Sequence, residues 1–388
     1  MRSERERHSP SNGEHANDAR PVVIAVMGAT GTGKSTFINL ASGATFAVGD
    51  GLRSCTAEVQ YSPQFTVDGY PVILVDTPGF DDTTVSDTDV LKMIALHLQN
   101  TYEQGFTLSG ILYLHRIVDF RMGGISRRNF TMFRKLCGDE TLKNVLLVTT
   151  MWGLVDRATG EAREAQLGTD ELLFQPVIEK GAHLVRHDNT RQSTLNIIRV
   201  IMKNHPQVLR IQRELVDEHK DISQTGAGEE LGRELAELAR KHRHELQEVQ
   251  EQMEAVLVVR DIETQKELEE VHTQLQKEME KAEKDRERLS REYIEEKKRL
   301  DEHLAQLRRD LEAQRKAAEE RQKEIDRMNE ELRNNASLAA GERARLKQRI
   351  DELETLQKRF WKVASFVVVS GGILAARGVL GLLGALRV

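Results

Sequence analysis

The stretch GATGTGKST, Gly28 to Thr36, sets a glycine, four residues, and then Gly33-Lys34-Ser35. That spacing is the phosphate-binding loop pattern. Its glycines, Gly28, Gly31 and Gly33, let the main chain wrap around an anion, and the intervening Ala29, Thr30 and Thr32 turn their amides toward it. Lys34 can neutralise the β- and γ-phosphates, Ser35 can give its hydroxyl to Mg²⁺, and Thr36 belongs to the start of the following helix, whose positive end adds to the attraction. A second stretch, VILVDTPGF, ends an apolar run in Asp76-Thr77-Pro78-Gly79. Asp76 can hold the magnesium shell, and the Gly79 N–H can sense a γ-phosphate. Between the two lies Arg53-Ser54-Cys55-Thr56. Thr56 is placed to coordinate magnesium when triphosphate is bound. The metal set expected is Ser35, Thr56 and Asp76.

These residues need a frame. From Pro21 to Pro206 short apolar runs alternate with helix-like stretches: VVIAVM, PVILVD, GILYLHRI, NVLLVTT and AHLVR. Continuous apolarity over so few residues suits strands of a parallel sheet buried on both faces. Asp68-Gly69 between two strand-like runs predicts a hairpin and therefore one antiparallel edge strand. Asp87 to Tyr102 and Ser126 to Leu136 supply covering helices. The fold expected for 21–206 is α/β, a P-loop NTPase with a mostly parallel sheet between helices.

The chain has 388 residues, 39% hydrophobic and 30% charged, with a net charge of −6. This balance gives no reason to expect nucleic acid as partner. Two cysteines, Cys55 and Cys137, lack metal-ligand spacing and fit a reducing, intracellular compartment. His97, His115, His183 and His187 are not in metal-ligand spacing either. Residues 1–20 are polar and read as a disordered lead-in rather than a secretory signal.

Residues 207–362 read as a long α-helical coiled coil. Leu300, Leu304, Leu307 and Leu311, then Ala318, Ile325, Met328 and Leu332, keep one heptad phase, with Gln314 and Arg321 as polar seam positions. The phase weakens near 226–228 and 333–342, and the second break could fold the helix back. Such a seam needs a partner helix, and a second copy is the preferred one, giving a homodimer. Residues 363–388 form an apolar C-terminal helix, read as a membrane anchor, the alternatives being a re-entrant hairpin or a soluble helix docked on a G domain or in an oligomer. Val363 to Leu386 exceeds the roughly 20 residues that cross a bilayer. Lys358, Arg359, Trp361 and Lys362 precede it. Arg377 costs about 2.5–3.5 kcal/mol at a bilayer centre, offset by the surrounding Val, Ile, Leu and Phe.

GATGTGKST, SCTAEVQ and DTPGF together resemble the immunity-associated nucleotide-binding GTPases and their septin relatives, over about residues 21 to 205. The resemblance implies GTP and GDP as ligands and assembly of G domains into dimers or filaments. Many such proteins are similar also in carrying a coiled coil and a membrane-attaching end, which places this chain on the cytoplasmic face of a membrane, or otherwise in the cytoplasm. Guanine-specific members read the base with an Asn/Thr-Lys-x-Asp motif. Here Thr149-Thr150-Met151-Trp152 stands in its place. Thr150 and Trp152 are carried over as base-side residues, with Trp152 either stacking on a base or packing under the loop. Asp156 or Asp188 could replace the missing acid. Arg186 to Asn189 fall where the family has a base-flanking loop.

Phe80 occupies the position where Ras-like enzymes have a water-orienting glutamine, and it cannot polarise water. Arg116, Arg121, Arg127 and Arg128 follow the fourth strand, and Arg121 is the choice for an arginine finger acting across a dimer. The sequence-level expectation is a Mg²⁺-dependent, slowly hydrolysing GTPase whose nucleotide state controls G-domain assembly at a membrane. The alternatives are a nucleotide-binding coiled-coil scaffold with little hydrolysis, or an ATPase of the same fold.

Overall fold

The computed structural model describes residues 21–47, 58–80, 85–119, 124–259, 262–334 and 340–369. Thr56, Arg121 and the apolar stretch from 370 onward lie outside the described residues. In chain order the strands are β1 (Val22–Gly28), β2 (Gln60–Tyr61), β3 (Phe65–Val67), β4 (Tyr70–Asp76), β5 (Gly110–Arg116), β6 (Val145–Thr150) and β7 (His183–Arg186). The α-helices are α1 (Lys34–Ser42), α2 (Asp87–Glu103), α3 (Gly124–Cys137), α4 (Arg157–Thr169), α5 (Gln175–Ile178), α6 (Arg191–Met202), α7 (Arg210–Gln212), α8 (Gly226–Val259), α9 (Ile262–Asn334) and α10 (Ala340–Val369). Two compact units divide the chain, neither continuous in sequence. Unit 1 takes Met1–Gly79, Thr107–Met122 and Glu140–Gln207, and unit 2 takes Phe80–Phe106, Gly123–Asp139 and Val208–Val388.

Unit 1 holds one seven-stranded sheet in the order β2-β4-β1-β5-β6-β7, with β3 also paired to β4. β4, β1, β5, β6 and β7 are mutually parallel. β2 and β3 run antiparallel to β4 and make one edge in two pieces. Pro63, which has no N–H to give a ladder, sits at the interruption. Ser62 bridges it: its N–H donates to Leu74 O at 2.8 Å, and its Oγ accepts from Leu74 N at 3.0 Å. The predicted hairpin is present, with Asp68 and Gly69 both at positive φ, the backbone of a primed turn.

Ile24 and Val26, Val72 and Leu74, Leu112 and Leu114, Leu146 and Val148 alternate along four strands and point to one face. They pack on Phe37, Ile38 and Ala41 of α1 and on Ile197, Ile198 and Ile201 of α6. Their neighbours on the opposite face, among them Ala25, Met27, Val75, Ile111 and Leu147, are buried as well. Burial on both faces is why these strands read as unbroken apolar runs. Each such side chain contributes about 1.5–3 kcal/mol.

Unit 2 is helical. Ser86 caps α2, accepting from Asp89 N at 3.2 Å, and the acidic Asp87 and Asp89 complement the helix dipole. α9 pairs antiparallel with α8, bringing Arg243 to Glu283 and His242 to Glu278. It pairs antiparallel with α10 at its other end, where Ile325 packs on Ile350 and Leu353 and Gln357 donates to Gln322. Over Gln322 to Leu332 the seam packs against α10 of the same chain, the folded-back arrangement that the second break allowed. An antiparallel fold-back satisfies the same apolar stripe without a second molecule. The weak point at 226–228 is the start of α8, not an interruption within it: Glu214 Oε2 accepts from Gly226 N at 3.0 Å, and a Cβ on Gly228 would meet Ile222 O at 1.9 Å. Among the described residues no helix is long and apolar enough to cross a membrane.

α9 also lies on α2. Lys92 is only 2% exposed, and its Nζ reaches Glu292 at 2.6 Å, Asp89 at 2.8 Å and Glu296 at 3.6 Å. Tyr293 OH donates to Gln99 Oε1, and Lys297 pairs with Glu103 at 3.0 Å.

Candidate functional site

The phosphate loop lies between β1 and α1 in unit 1, where the buried strand ends and a helix begins. Gly28 has φ of +138°, and a Cβ there would meet Leu114 O of the neighbouring β5 at 2.4 Å, so no side chain fits. Gly33, the N-cap of α1, is left-handed. Thr32 Oγ1 donates to Ala29 O at 2.9 Å and closes the loop on itself. Lys34 is buried and its Nζ donates to Gly28 O at 3.1 Å and Ala29 O at 3.0 Å. The ammonium is thus held inside the curve of the loop, where an anion's oxygens can take over these bonds.

Asp76 ends β4, which pairs in register with β1, and it is fully buried. Ser35 Oγ donates to Asp76 Oδ2 at 2.7 Å. A hydroxyl and a carboxylate so close, next to an anion-binding loop, are two hard oxygen donors of the kind Mg²⁺ takes. Thr77 Oγ1 donates to Val26 O at 2.9 Å and fixes the chain beyond Asp76 to β1. Gly79 lies against the phosphate loop itself: a Cβ there would meet Thr30 Oγ1 at 2.5 Å and Thr30 N at 2.6 Å. The two motifs read separately from the sequence thus touch through main chain. Among the described residues no group of three or more His, Cys, Asp or Glu side chains could hold a metal by itself.

Thr150, at the end of β6, is buried and donates from Oγ1 to Thr32 O at 3.0 Å, which ties β6 to the phosphate loop. Trp152 is partly buried. A Cβ on Gly160 of α4 would meet its ring at 2.7 Å, and the guanidinium of Arg186 covers the ring at 4.3 Å from the centroid. Its Nε1 donates to Thr149 Oγ1 at 3.0 Å. The ring thus packs against α4 and Arg186, which accords with the reading of Trp152 as a residue packed under the loop. Arg186 is in turn held by Glu164, with a 2.8 Å bond to Oε2, and this pairing raises its already high pKa.

Asp156 serves as the N-cap of α4, accepting from Thr159 N at 2.9 Å, and these bonds depress its carboxyl pKa. Asp188 follows β7 and is exposed. Its Oδ1 accepts from Thr190 Oγ1 at 2.6 Å and Thr190 N at 3.0 Å, which holds its carboxyl below the ordinary range. His187 before it is buried, its ring edge-on to Phe37 of α1 at 5.1 Å, and burial lowers its pKa.

Of the arginines singled out, Arg116 comes to the loop. It ends β5, and its Nη1 lies 3.3 Å from where a Cβ of Gly31 would be, while Asp119 accepts from its Nε at 3.1 Å. Arg127 is exposed on α3. Register would have singled out Arg116: Gly28 pairs with Leu114, so the residue two beyond Leu114 runs beside the loop. Phe80 is buried, with no polar group to offer water.

The family model described as 50S ribosome-binding GTPase matches residues 23–147. Toc33 from Arabidopsis thaliana, solved in complex with Mg²⁺ and GMPPNP, is 19% identical, with 47% of this chain and 84% of that one covered and a TM-score of 0.38. The cytosolic domain of the T. maritima FeoB iron transporter in a GDP form is 14% identical, covering 71% of this chain and 96% of that one, with a TM-score of 0.32. Translation elongation factor SelB from Methanococcus maripaludis, solved with the GTP analogue GppNHp, is 13% identical, covering 50% of this chain and 36% of that one, with a TM-score of 0.32. No curated protein matches. Unit 1 has the P-loop GTPase fold, mostly parallel with an antiparallel edge, and a long helical region follows it.

Proposed function

We propose that unit 1 binds a magnesium–guanine nucleotide and hydrolyses the triphosphate slowly. The observation that carries this reading is the Lys34–Ser35–Asp76 constellation: a buried ammonium curled inside a glycine loop, beside a hydroxyl bonded to a fully buried carboxylate at 2.7 Å. No packing role calls for these three groups at one strand end. The amides from Ala29 to Thr36 cradle the phosphates, and Lys34 exchanges Gly28 O and Ala29 O for β- and γ-phosphate oxygens. Ser35 and Asp76, with Thr56, hold the magnesium, which when bound neutralises the charge that develops on the phosphates. Gly79, already against Thr30, is positioned to report the γ-phosphate.

Slow turnover follows from what the site lacks. Phe80 cannot orient water, so the remaining help is electrostatic. Arg116 beside Gly31 is the candidate for it, in its own chain or toward a second copy, and Arg121 is the other. Guanine as the base, kinship with the immunity-associated GTPases, nucleotide-controlled assembly of G domains, and attachment to the cytoplasmic face of a membrane through 363–388 all extend the motifs GATGTGKST, SCTAEVQ and DTPGF and the apolar tail. Association of copies runs through the nucleotide-binding unit and the coiled coil. Single-turnover phosphate release from [γ-³²P]GTP, with and without Mg²⁺, tests the enzymatic reading. Release above the uncatalysed rate that Arg116→Ala lowers by at least about tenfold supports it. Tight binding with no release leaves a nucleotide-gated scaffold.

A further inference from the structure

We infer that the apolar C-terminal segment has its resting place on its own chain. In water it covers the leucine stripe of α9 at Leu300, Leu304, Leu307 and Leu311, and it yields that seat to a bilayer. The docking is independent of nucleotide binding, whereas the exchange rests on the membrane reading proposed above. The observation is burial that the described helices leave uncovered. Along α9 the seam residues Leu304, Ala318 and Ile325 are 7%, 1% and 3% exposed, while Ala305, Gln306, Ala317 and Glu319 beside them are exposed. Ile325 is covered by Ile350 and Leu353 of α10. Among the described residues the one hydrophobic side chain packed on Ala318 is Leu311, about two turns away on the same helix. A neighbour on the same helix flanks a seam residue, and only a facing helix closes over it.

The register of α10 names the occupant. α10 runs antiparallel to α9, with Ile325 against Ile350 and Leu353 and Gln322 bonded to Gln357, and it is helical to Val369. Continued at that register, Ala318 falls opposite Phe360, Leu311 opposite Val367, Leu307 opposite Gly371, Leu304 opposite Leu374 and Leu300 opposite Gly378. The sequence keeps the same phase: steps of three and four from Leu353 lead through Phe360, Ala364, Val367, Gly371 and Leu374 to Gly378. Glycine faces leucine in two of these layers, the pairing of small with large that lets facing helices interdigitate. The reach is sufficient, since residues 370–388 extend about 28 Å as a helix and Leu311 to Leu300 takes about 16 Å. Arg377 falls at the edge of this seam, where a charge reaches water, whereas at a bilayer centre it is costly.

The experiment is oxidative cross-linking of the full chain in detergent-free buffer, with the linked peptides identified by mass spectrometry. Leu304→Cys is combined with Leu374→Cys, which the register puts opposite it, or with Ala376→Cys, on the far side of the tail helix. Leu307→Cys with Gly371→Cys is a second facing pair, and melting curves check that each variant folds. Both facing pairs are expected to form a disulfide within one chain at least about tenfold faster than the far-side pair. Equal rates in facing and far-side pairs, or no disulfide within the chain, overturns the docking. A disulfide between two chains overturns it as well and gives the stripe to a second copy. Vesicles of phosphatidylcholine and phosphatidylserine are then expected to abolish most of the cross-linking. Cross-linking that the vesicles leave unchanged keeps the docking and overturns the exchange. Flotation of wild type with the same vesicles separates the two failures: a chain that does not float has lost the membrane reading itself, and one that floats while cross-linked has lost the exchange alone.

Discussion

Lys34 spends its ammonium on two carbonyls of its own loop, and a triphosphate can replace both with charged oxygens at little cost in geometry. Lys34→Ala is therefore expected to weaken triphosphate binding by about 10- to 100-fold, read by displacement of a fluorescent nucleotide, with little change in melting temperature. This residue was legible because its chemistry is encoded in local spacing. The surroundings of Trp152 were not, because Gly160 and Arg186, which lie against its ring, come from α4 and β7. Histidine sets the pH response. Burial lowers His97 to about 3 and His115 to about 4, so both stay neutral in the fold while an unfolded chain takes up protons near 6.5. Their folded pKa values lie below the unfolded ones, so the stability they confer is complete above pH 6.5 and declines as pH falls toward 4 and 3. Melting temperature is expected to be flat above pH 7 and to drop below 6.5, with a shallower slope in His97→Gln.

At the scale of elements, the contact between Gly79 and Thr30 joins the strand-end motif to the phosphate loop. Gly79→Ala forces a methyl group to 2.5 Å from Thr30 Oγ1, so one of the two segments must move. The expected result is weakened discrimination between GTP and GDP, measured as the ratio of their affinities, with the fold retained. The docking of α9 on α2 includes a set of polar contacts around Lys92 and Gln99. Lys92→Met removes the buried cation between Asp89 and Glu292 but leaves Arg288 beside both, and with the two carboxylates partly in water the cost is about 1–3 kcal/mol. Thermal denaturation of unit 2 is the measurement. Glu292 is held down to about 2, first by its hydrogen bond to Arg288 and then by Lys92, so its contribution persists above its ordinary 4.5 and is lost between pH 4.5 and 2. The helices themselves were plain in the sequence from their periodicity. Their partners were not, since a heptad seam specifies an apolar stripe and not the molecule that covers it. The same applies at 226–228, where glycines that look like helix breakers instead permit the close packing that starts α8.

Across the molecule, the division into two interleaved units puts Gly79 at the end of one and Phe80 at the start of the other. Assembly of copies is expected to depend on nucleotide. Light scattering should show one copy without nucleotide and two with a non-hydrolysable triphosphate, and a dimer that persists without nucleotide contradicts this. The parallel character of the sheet was readable because continuous apolar runs suit strands buried on both faces, whereas the order of the strands was not. The interleaving was not, because it depends on contacts between segments far apart in the chain. The most direct test of the account is equilibrium binding of GTP to wild type, Lys34→Ala and Asp76→Asn, each with magnesium and with EDTA. The account predicts tight, magnesium-dependent binding by wild type, loss of affinity in Lys34→Ala, and loss of the magnesium dependence in Asp76→Asn. Equal affinity in all three proteins, indifferent to EDTA, would contradict it.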